Sequence, residues 1–588
     1  NEINYGNISY GIEAAAESYF GKSARELNLA EASMLAGIPA APYDYNPLRN
    51  PQLAKQRQEV VLDLMVRHGF ATEEESEEAK ETRLLYAPQQ TEIKAPHFVM
   101  YVRELLEKRY GRQKVFSTGL RVYTTIDLRL QSLAEKVAAE HIATLADHNA
   151  RNAAMVAMDP KTGEILVMLG SVDYNDVSID GQVNMALAER QPGSTLKPFT
   201  YITGLTKGLA PASILMDQPT EFPGGQGQPA FKPKNHDGLF KGPISVRKAL
   251  GGSRNIPAVL VLQQIGVQTL IDVLHDAGIT SLNERGRYGL ALTLGGGEVE
   301  LLDLTFAYSG LANGGVQVGQ PVALKDRQPG QRSFEPVALL KVTDADGNVI
   351  DEYVPPEGKR LFSPEHTFLI TDILADDDAR ADSFGRNSYL VLDRPAAVKT
   401  GTTDDFRDAW TVGFTPDFVA GVWVGNANNK PMKDLLAVRA AGVIWNKFMK
   451  EALKGVPPKP FERPPGVVRA TVSAKTGLRP APDEPTVTDW FVEGSVPTSW
   501  GTTPVTPSPV VTPTAGPARA PPTPVTRAPT PTPVQARPPT PTPVGDQVVM
   551  PSVVGLTEEE GRRRIQQAGL NTGYTNYQLL KDIAPENR

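Results

Sequence analysis

Two pairs of apolar runs stand out along the chain because each pair is separated by a short polar turn. Runs at 153–158 and 165–169 have the spacing that predicts a β-hairpin. Runs at 409–414 and 418–424 are split by a Thr-Pro pair, which predicts a second hairpin. Strands and helical stretches alternate irregularly around these hairpins. We therefore expect residues 151–452 to form one α+β enzyme domain.

The first 85 residues have a helical pattern instead. Stretches at 14–19 and 26–37 are rich in alanine and leucine, whereas 52–68 is amphipathic and 72–80 is acidic. Two S/T-x-x-E capping boxes mark predicted helix starts, Ser23 with Glu26 and Thr72 with Glu75. A mostly α-helical block is therefore expected ahead of the α+β domain.

Length and composition narrow the class of protein. A chain of 588 residues has room for roughly three to five domains. The net charge of −7 is modest and no basic stripe is present, so we expect no nucleic-acid partner. Without cysteine, disulfides and cysteine-ligated zinc are excluded. No apolar run has the length of a membrane span, and because residue 1 is Asn, we expect a fragment or a processed form.

One of two S-x-x-K tetrapeptides, the one at Ser194, has the features of a nucleophile site. Pro198 follows it, and proline fits a helix without losing a hydrogen bond only in the first turn. The helix should therefore begin close to Ser194, which places the hydroxyl at a helix N-terminus. Lys197 then lies one turn on, on the same helical face.

The second S-x-x-K tetrapeptide begins at Ser245 and has a different predicted role. It opens a helical segment over 245–262, and serine is a favoured N-cap residue. The adjacent Arg247 and Lys248 are predicted to be solvated charges. We expect Ser245 to cap a helix and to take no part in chemistry.

Three K-T-G tripeptides occur, and their surroundings separate them. Lys161 falls in the turn of the first predicted hairpin, and Lys475 lies in a polar stretch that resembles another turn. Lys399 follows the apolar run 396–398, which predicts a strand. A strand edge with lysine, hydroxyls and glycine can pair with an extended peptide and bind its carboxylate. The predicted substrate-binding residues are Thr400, Gly401, Thr402 and Thr403.

An S-x-N tripeptide starts at Ser253, between the S-x-x-K motif at Ser194 and the K-T-G motif at Lys399. A second S-x-N tripeptide starts at Ser281. A serine hydroxyl is a weak nucleophile until a base removes its proton, and Lys197 can be that base only when neutral. Burial and the charge of Lys399 would lower its pKa. Ser253 can relay a proton to a leaving amine, and Asn255 can hold Lys197 in register.

The three motifs together resemble those of penicillin-binding transpeptidases and the related β-lactamases. Segments at 234–238, 255–259 and 294–298 extend the resemblance over the whole α+β domain. It implies a catalytic set of Ser194, Lys197, Ser253, Asn255 and Lys399. It also implies that the backbone N–H groups of Ser194 and Thr402 bind the oxyanion. Arg254 departs from the smaller or more neutral residue expected there, which could tune substrate choice.

The helical block resembles the C-terminal part of the peptidoglycan glycosyltransferase domain in class A (bifunctional) penicillin-binding proteins. The segments that carry this resemblance are 10–16, 19–22 and 29–37. It places the catalytic glutamates upstream of Asn1, so we expect glycosyltransferase activity only in a full-length parent. Segments at 95–99 and 120–127 resemble the connector of the same family.

The C-terminal part of the chain changes composition sharply. Residues 501–545 hold 15 prolines and no acidic or aromatic residue, which is typical of an extended linker. Residues 546–588 resemble a PASTA module, although the stretch is shorter than a whole module. The expected division is 1–85 glycosyltransferase remnant (α), 86–150 connector, 151–452 transpeptidase domain, 453–500 small accessory β segment, 501–545 disordered linker and 546–588 PASTA-like α/β module.

The resemblance implies a D,D-transpeptidase that cross-links peptidoglycan, with no cofactor and no metal. Its partners would be stem peptides ending in D-Ala-D-Ala, glycan strands, and β-lactams as covalent inhibitors. Its location would be the extracytoplasmic face of a bacterial plasma membrane, held by an N-terminal anchor absent from this chain. Two alternatives stay open: a D,D-carboxypeptidase or β-lactamase-like hydrolase that uses water, and a non-catalytic sensor that binds the wall.

Overall fold

The computed structural model describes residues 3–500 apart from 8, 88–92, 118, 224–228, 285, 324–326 and 328–330. The predicted linker at 501–545 and the predicted PASTA-like module at 546–588 lie outside the described residues.

The helices of the described residues follow the chain in this order. They are α1 Ile12–Phe20, α2 Leu29–Gly37, α3 Pro51–Arg67, α4 Glu73–Glu81, α5 Pro96–Tyr110, α6 Arg112–Ser117, α7 Leu128–Ala143, α8 Lys197–Thr206, α9 Val246–Gly251, α10 Asn255–Ile265, α11 Val267–Ala277, α12 Leu301–Ala312, α13 Pro364–Ala375, α14 Asp377–Phe384 and α15 Ala441–Ala452. Short 3-10 turns are Ala24–Glu26, Ile38–Ala40, Ala146–His148, Val177–Ile179, Gly193–Leu196, Leu290–Leu294 and Asp404–Phe406.

The strands of the described residues are mostly short. They are β1 Arg121–Thr124, β2 Asn152–Met158, β3 Ile165–Leu169, β4 Ile214–Asp217, β5 Gly242–Ser245, β6 Val316–Gln317, β7 Gln320–Pro321, β8 Phe334–Glu335, β9 Leu339–Thr343, β10 Val349–Glu352, β11 Lys359–Arg360, β12 Ala397–Thr402, β13 Asp408–Thr415, β14 Phe418–Gly425, β15 Val467–Ser473 and β16 Thr486–Val492.

An antiparallel sheet in the order β12-β13-β14-β2-β3 forms the centre of the α+β domain. Both predicted hairpins are confirmed, as β2 with β3 and as β13 with β14. Alternate residues of β2 enter two different cores, because successive side chains of a strand point to opposite faces. Helices α7 and α15 pack on one face, and α8, α10 and α12 pack on the other. Strand β12 is at one end of the strand order and is therefore an edge strand.

The N-terminal block is helical, as predicted. Helix α2 packs on α3, and α3 packs on α4. The two predicted capping boxes are confirmed, at the 3-10 turn after Ser23 and at α4 after Thr72. The side chain of Gln58 donates to the Ala30 carbonyl at 2.7 Å, which joins α3 to α2 inside the buried contact.

In the described part of the chain, no single helix combines the length and apolar character needed to cross a membrane. Helices α10 and α11 meet such a test only as a pair that bends by 94°. Most of their apolar side chains are buried within the domain.

The predicted helical segment over 245–262 is wrong in two respects. The chain forms two helices, α9 and α10, with a break at 252–254. Arg247 is not a solvated charge, because its side chain is only 17% exposed and pairs with Asp372, Asp376 and Asp489. The third carboxylate comes from β16, more than 200 residues away, so the local sequence carried no sign of it.

Candidate active site

Ser194 lies at the start of a helix, as its neighbours in the sequence predict. The 3-10 turn Gly193–Leu196 runs directly into α8, and Pro198 occupies the first turn of that helix. The Lys197 N–H donates to the Ser194 carbonyl, which closes the turn. Ser194 is half-buried, whereas Lys197 is completely buried.

The turn that carries Ser194 packs directly against β12. A β-carbon added to Gly401 would lie 2.1 Å from the Pro192 carbonyl oxygen, so only glycine allows this approach. Gly193 has a φ of 56°, and a β-carbon there would lie 2.9 Å from the backbone nitrogen of Thr402. The two backbone segments are therefore in contact beside Ser194.

Lys197 is buried beside Ser253 and Asn255, which lie just before α10 and at its first residue. Its Nζ donates to the Ser253 carbonyl at 2.7 Å and to Asn255 Oδ1 at 2.7 Å. The Ser253 hydroxyl lies at 3.5 Å from the same nitrogen. Burial lowers the pKa of Lys197 well below its usual range, and the charges of Lys399 and Arg254 lower it further. A lysine in this environment can be neutral and accept a proton.

Lys399 reaches the same serine from the other side. Its Nζ donates to Ser253 Oγ at 2.8 Å and to the Thr400 carbonyl at 2.8 Å. Burial, together with the charge of Arg380, lowers the pKa of Lys399 to about 7. The Ser253 hydroxyl thus lies between two buried lysines, which is the geometry needed to pass a proton from one to another.

The predicted substrate-binding residues lie along β12 and just after it. The Thr402 hydroxyl accepts from the Ala437 N–H at 3.2 Å. The Thr403 hydroxyl accepts from the Asp408 N–H at 2.9 Å, so it also holds the start of β13. Because β12 is an edge strand, its outer backbone groups are available to an extended peptide. The substrate roles of these residues stay predictions.

The other copies of the motifs have structural surroundings. Ser245 caps α9 by accepting from the Lys248 N–H. Lys161 lies in the β2–β3 turn and pairs with Asp417, and Lys475 is exposed in the turn after β15. The Ser281 hydroxyl donates to the Glu298 carbonyl at 2.8 Å. Across the ranges that the structure describes, no group of three or more His, Asp or Glu side chains is arranged to hold a metal ion.

Sequence reasoning missed what surrounds Arg254. Its side chain is 4% exposed and pairs with Asp217 at 2.9 Å and Asp237 at 2.7 Å. The interpretation that Arg254 tunes substrate choice is therefore not supported, since its guanidinium is directed at carboxylates of the protein itself. Asp237 belongs to a segment that the resemblance had marked, but nothing in the sequence pointed to Asp217.

A half-buried serine at a helix start and two buried lysines lie together beside an edge strand of an antiparallel sheet, which is an arrangement suited to acyl transfer. Residues 153–450 match the family described as penicillin binding protein transpeptidase domain, which is about half of the chain. Residues 1–66 match the family described as transglycosylase. The chain therefore belongs to the class A penicillin-binding proteins, as a penicillin-binding serine transpeptidase with a partial transglycosylase domain.

Known relatives agree with this assignment. The chain is 33% identical to penicillin-binding protein 2D of Bacillus subtilis, over 82% of this chain and 67% of that protein. Its fold is similar to that of penicillin-binding protein 1A from Haemophilus influenzae, with a TM-score of 0.61, 24% identity, and coverage of 85% of this chain and 91% of that one. It is also similar to PonA1 of Mycobacterium tuberculosis in complex with penicillin V, with a TM-score of 0.50, 25% identity, and coverage of 63% and 96%.

Proposed function

We propose that this chain is a D,D-transpeptidase in which Ser194 is acylated by a stem peptide ending in D-Ala-D-Ala. The observation that carries the proposal is the environment of Lys197. This lysine is completely buried, one turn from Ser194, and bonded to Ser253 and Asn255. Its lowered pKa makes it suited to take the proton of the nucleophile.

In the first step, Ser194 Oγ attacks the carbonyl carbon of the penultimate D-alanine while Lys197 takes its proton. The carbonyl oxygen becomes negative, and the backbone N–H groups of Ser194 and Thr402 would stabilise it. The close approach of Gly193 to the Thr402 backbone supports this pairing of donors. The dipole of the turn and helix that begin at Gly193 favours the same negative charge.

In the second step, the C–N bond to the terminal D-alanine breaks as its nitrogen takes a proton. Ser253 would deliver that proton, since its hydroxyl lies 2.8 Å from Lys399 Nζ and 3.5 Å from Lys197 Nζ. D-Alanine leaves, and an ester remains on Ser194. The amine of a second stem peptide then attacks the ester, and the Ser194 hydroxyl is restored.

The leaving D-alanine carries a carboxylate that must be held before the bond breaks. We assign it to Lys399, Thr400 and Thr402, at the edge strand β12. Gly401 lets the turn that carries Ser194 lie against this strand, because a β-carbon there would meet the Pro192 carbonyl. Gly401 and Thr403 are further predicted contacts of the peptide. β-Lactams present an amide and a carboxylate in a similar arrangement, and a related protein has been described in complex with penicillin V. We expect them to acylate Ser194.

A single assay separates this function from its alternatives. The chain is incubated with a D-Ala-D-Ala stem peptide and an amine acceptor, and products are separated by mass spectrometry. We expect release of D-alanine with formation of the cross-linked peptide. Release without cross-linking would indicate a carboxypeptidase, and rapid turnover of penicillin would indicate a β-lactamase. An absence of any acylation would indicate a binding protein.

The resemblances noted in the sequence support three further proposals. The parent protein would act at the outer face of a bacterial plasma membrane on peptidoglycan strands. Residues 546–588 would form a PASTA-like module, separated from the rest by the linker at 501–545.

The boundaries near 85, 150, 452 and 500 can be tested by limited proteolysis, where we expect the linker to be cut first. Cosedimentation of a 546–588 peptide with purified cell wall tests the module.

A further inference from the structure

The short break between α9 and α10 places Ser253 in an uncommon backbone conformation. The Ser253 N–H donates to the Leu250 carbonyl at 3.0 Å, and the Arg254 N–H donates to the Ala249 carbonyl at 2.9 Å. These two bonds form a Schellman motif at the end of α9. Ser253 has a φ of 58°, in the left-handed region where such motifs usually have glycine. This conformation is unfavourable for serine, so contacts that hold the break offset part of its cost.

Arg254, the next residue, supplies contacts that hold the break. Its Nε donates to Asp217 Oδ2 at 2.9 Å, and its Nη1 donates to Asp237 Oδ2 at 2.7 Å. Its Nη2 donates to the Leu239 carbonyl. Asp217 is completely buried, and this arginine is its ion-pair partner. The guanidinium therefore ties the break to β4 and to the loop that follows residue 233.

The same aspartate continues the network to Lys197. Asn235 Nδ2 donates to Asp217 Oδ1 at 2.6 Å, and Asn235 Oδ1 accepts from the Asn255 N–H at 2.7 Å. The Asn255 side-chain nitrogen donates to the Lys234 carbonyl at 2.6 Å. That bond turns Asn255 Oδ1 toward Lys197 Nζ. A continuous hydrogen-bonded path thus runs from the buried ion pair to the proposed base.

We propose that Arg254 is a positioning residue for acylation, acting through Asp217 and Asp237 to hold Ser253 and Asn255 around Lys197. The inference rests on the proposed function, because it concerns the residues assigned there to proton transfer. Arg254 itself does not touch substrate, since it is buried and bonded to carboxylates of the protein. Its charge has a second effect, because together with Lys399 it opposes protonation of Lys197, whereas Asp217 favours it.

Arg247 provides a matched control. Arg247 lies on α9, and Arg254 lies just after the end of that helix. Arg247 is paired with three carboxylates at 2.5–2.9 Å. Each arginine pairs with one buried carboxylate, Asp489 for Arg247 and Asp217 for Arg254, so we expect loss of either arginine to lower the temperature of unfolding. Of the two arginines, only Arg254 is linked through hydrogen bonds to the residues that contact Lys197. Stability and positioning can therefore be separated by comparing the two.

The experiment measures the rate of acylation by penicillin across pH, together with thermal unfolding, in wild type, R254A, R254K and R247A. We expect R254A to slow acylation at least tenfold and to move the pH of half-maximal rate upward, because Lys197 loses a nearby cation. R254K keeps the charge but cannot bridge both carboxylates. Its pH midpoint should therefore return to the wild-type value, while its acylation rate stays at least threefold below that of wild type. R247A should unfold earlier yet acylate within twofold of wild type.

Three results would overturn the inference. One is a folded R254A that acylates within twofold of wild type with an unchanged pH midpoint. Another is an R247A variant slowed as much as R254A at a temperature where both are folded. If R254A does not fold, a wild-type rate in R254K overturns it. An absence of adduct on the wild-type chain would instead contradict the proposed function.

Discussion

The two S-x-x-K tetrapeptides of this chain have the same spacing and opposite surroundings. In both, the serine lies at or near the start of a helix. Lys197 is completely buried and bonded to Ser253 and Asn255, whereas Lys248 is exposed. The hydroxyl of Ser245 accepts from the Lys248 N–H at 3.3 Å and is used as a cap. The difference teaches that burial of the lysine, and not the tetrapeptide pattern, distinguishes the proposed site from the second copy.

The largest difference between the two copies should appear when each lysine is removed. We expect K197A to slow acylation by penicillin at least about 100-fold, because general-base catalysis contributes on that order. K248A should acylate within about twofold of wild type, since an exposed lysine there has no part in proton transfer. Stopped-flow measurement with a fluorescent penicillin gives both rates. Equal effects of the two variants would contradict the comparison.

Buried and exposed lysines should also differ in how they link stability to pH. Lys399 has a pKa of about 7 in the folded chain and about 10.4 when unfolded. Between these values the unfolded chain binds more protons, so the contribution of Lys399 to stability rises with pH by about 1.4 kcal/mol per unit. Denaturant unfolding at pH 7 and at pH 9 measures this rise in the free energy of unfolding.

The matched variants for this test are K399M and K248M. K399M should lose this part of the rise in stability with pH, whereas K248M should keep it. A pH dependence in K399M that equals that of wild type would show that Lys399 stays charged in the folded chain.

Removing the serine of the second S-x-x-K tetrapeptide should have a smaller effect, and on stability alone. S245A removes the N-cap of α9, which should lower the free energy of unfolding by about 1 kcal/mol. Its acylation rate should be that of wild type. Chemical denaturation and the penicillin rate give the two values, and a large loss of acylation in S245A would count against its role as a cap.

The smallest expected effect concerns the strained serine between the lysines. S253G should raise the free energy of unfolding by roughly 0.5–1 kcal/mol, because glycine accepts a φ of 58° without the clash of a β-carbon. Acylation should slow, because the hydroxyl is gone. S253A is the control: it loses the hydroxyl but keeps the β-carbon, so it should not gain stability. A gain in S253A equal to that in S253G would contradict the argument.

Local signals in the sequence predicted part of this structure. Pro198 indicated where the helix after Ser194 begins, and the polar turn between two apolar runs separated Lys161 from Lys399. Both signals depend on neighbours within a few residues. The break at 252–254 was missed although Gly251 and Gly252 stand directly before Ser253, and a Gly-Gly pair is a turn signal. The residue in the left-handed region is Ser253 itself, which the sequence did not indicate.

Long-range ion pairs could not be predicted for a different reason. Arg254 lies 37 residues from Asp217, and Arg247 lies 242 residues from Asp489. Charged residues are usually solvated, so a sequence alone favours solvent as their partner. Only the fold shows that these arginines are buried against carboxylates.

The most direct test of the account is the intact mass of the chain after exposure to penicillin, in wild type, S194A and S245A. We expect an increase equal to the mass of one penicillin in wild type and in S245A, and no increase in S194A. Peptide mapping of the wild-type adduct should place it on Ser194. An adduct that persists in S194A, or one that is lost in S245A, would contradict the assignment of Ser194 as the nucleophile.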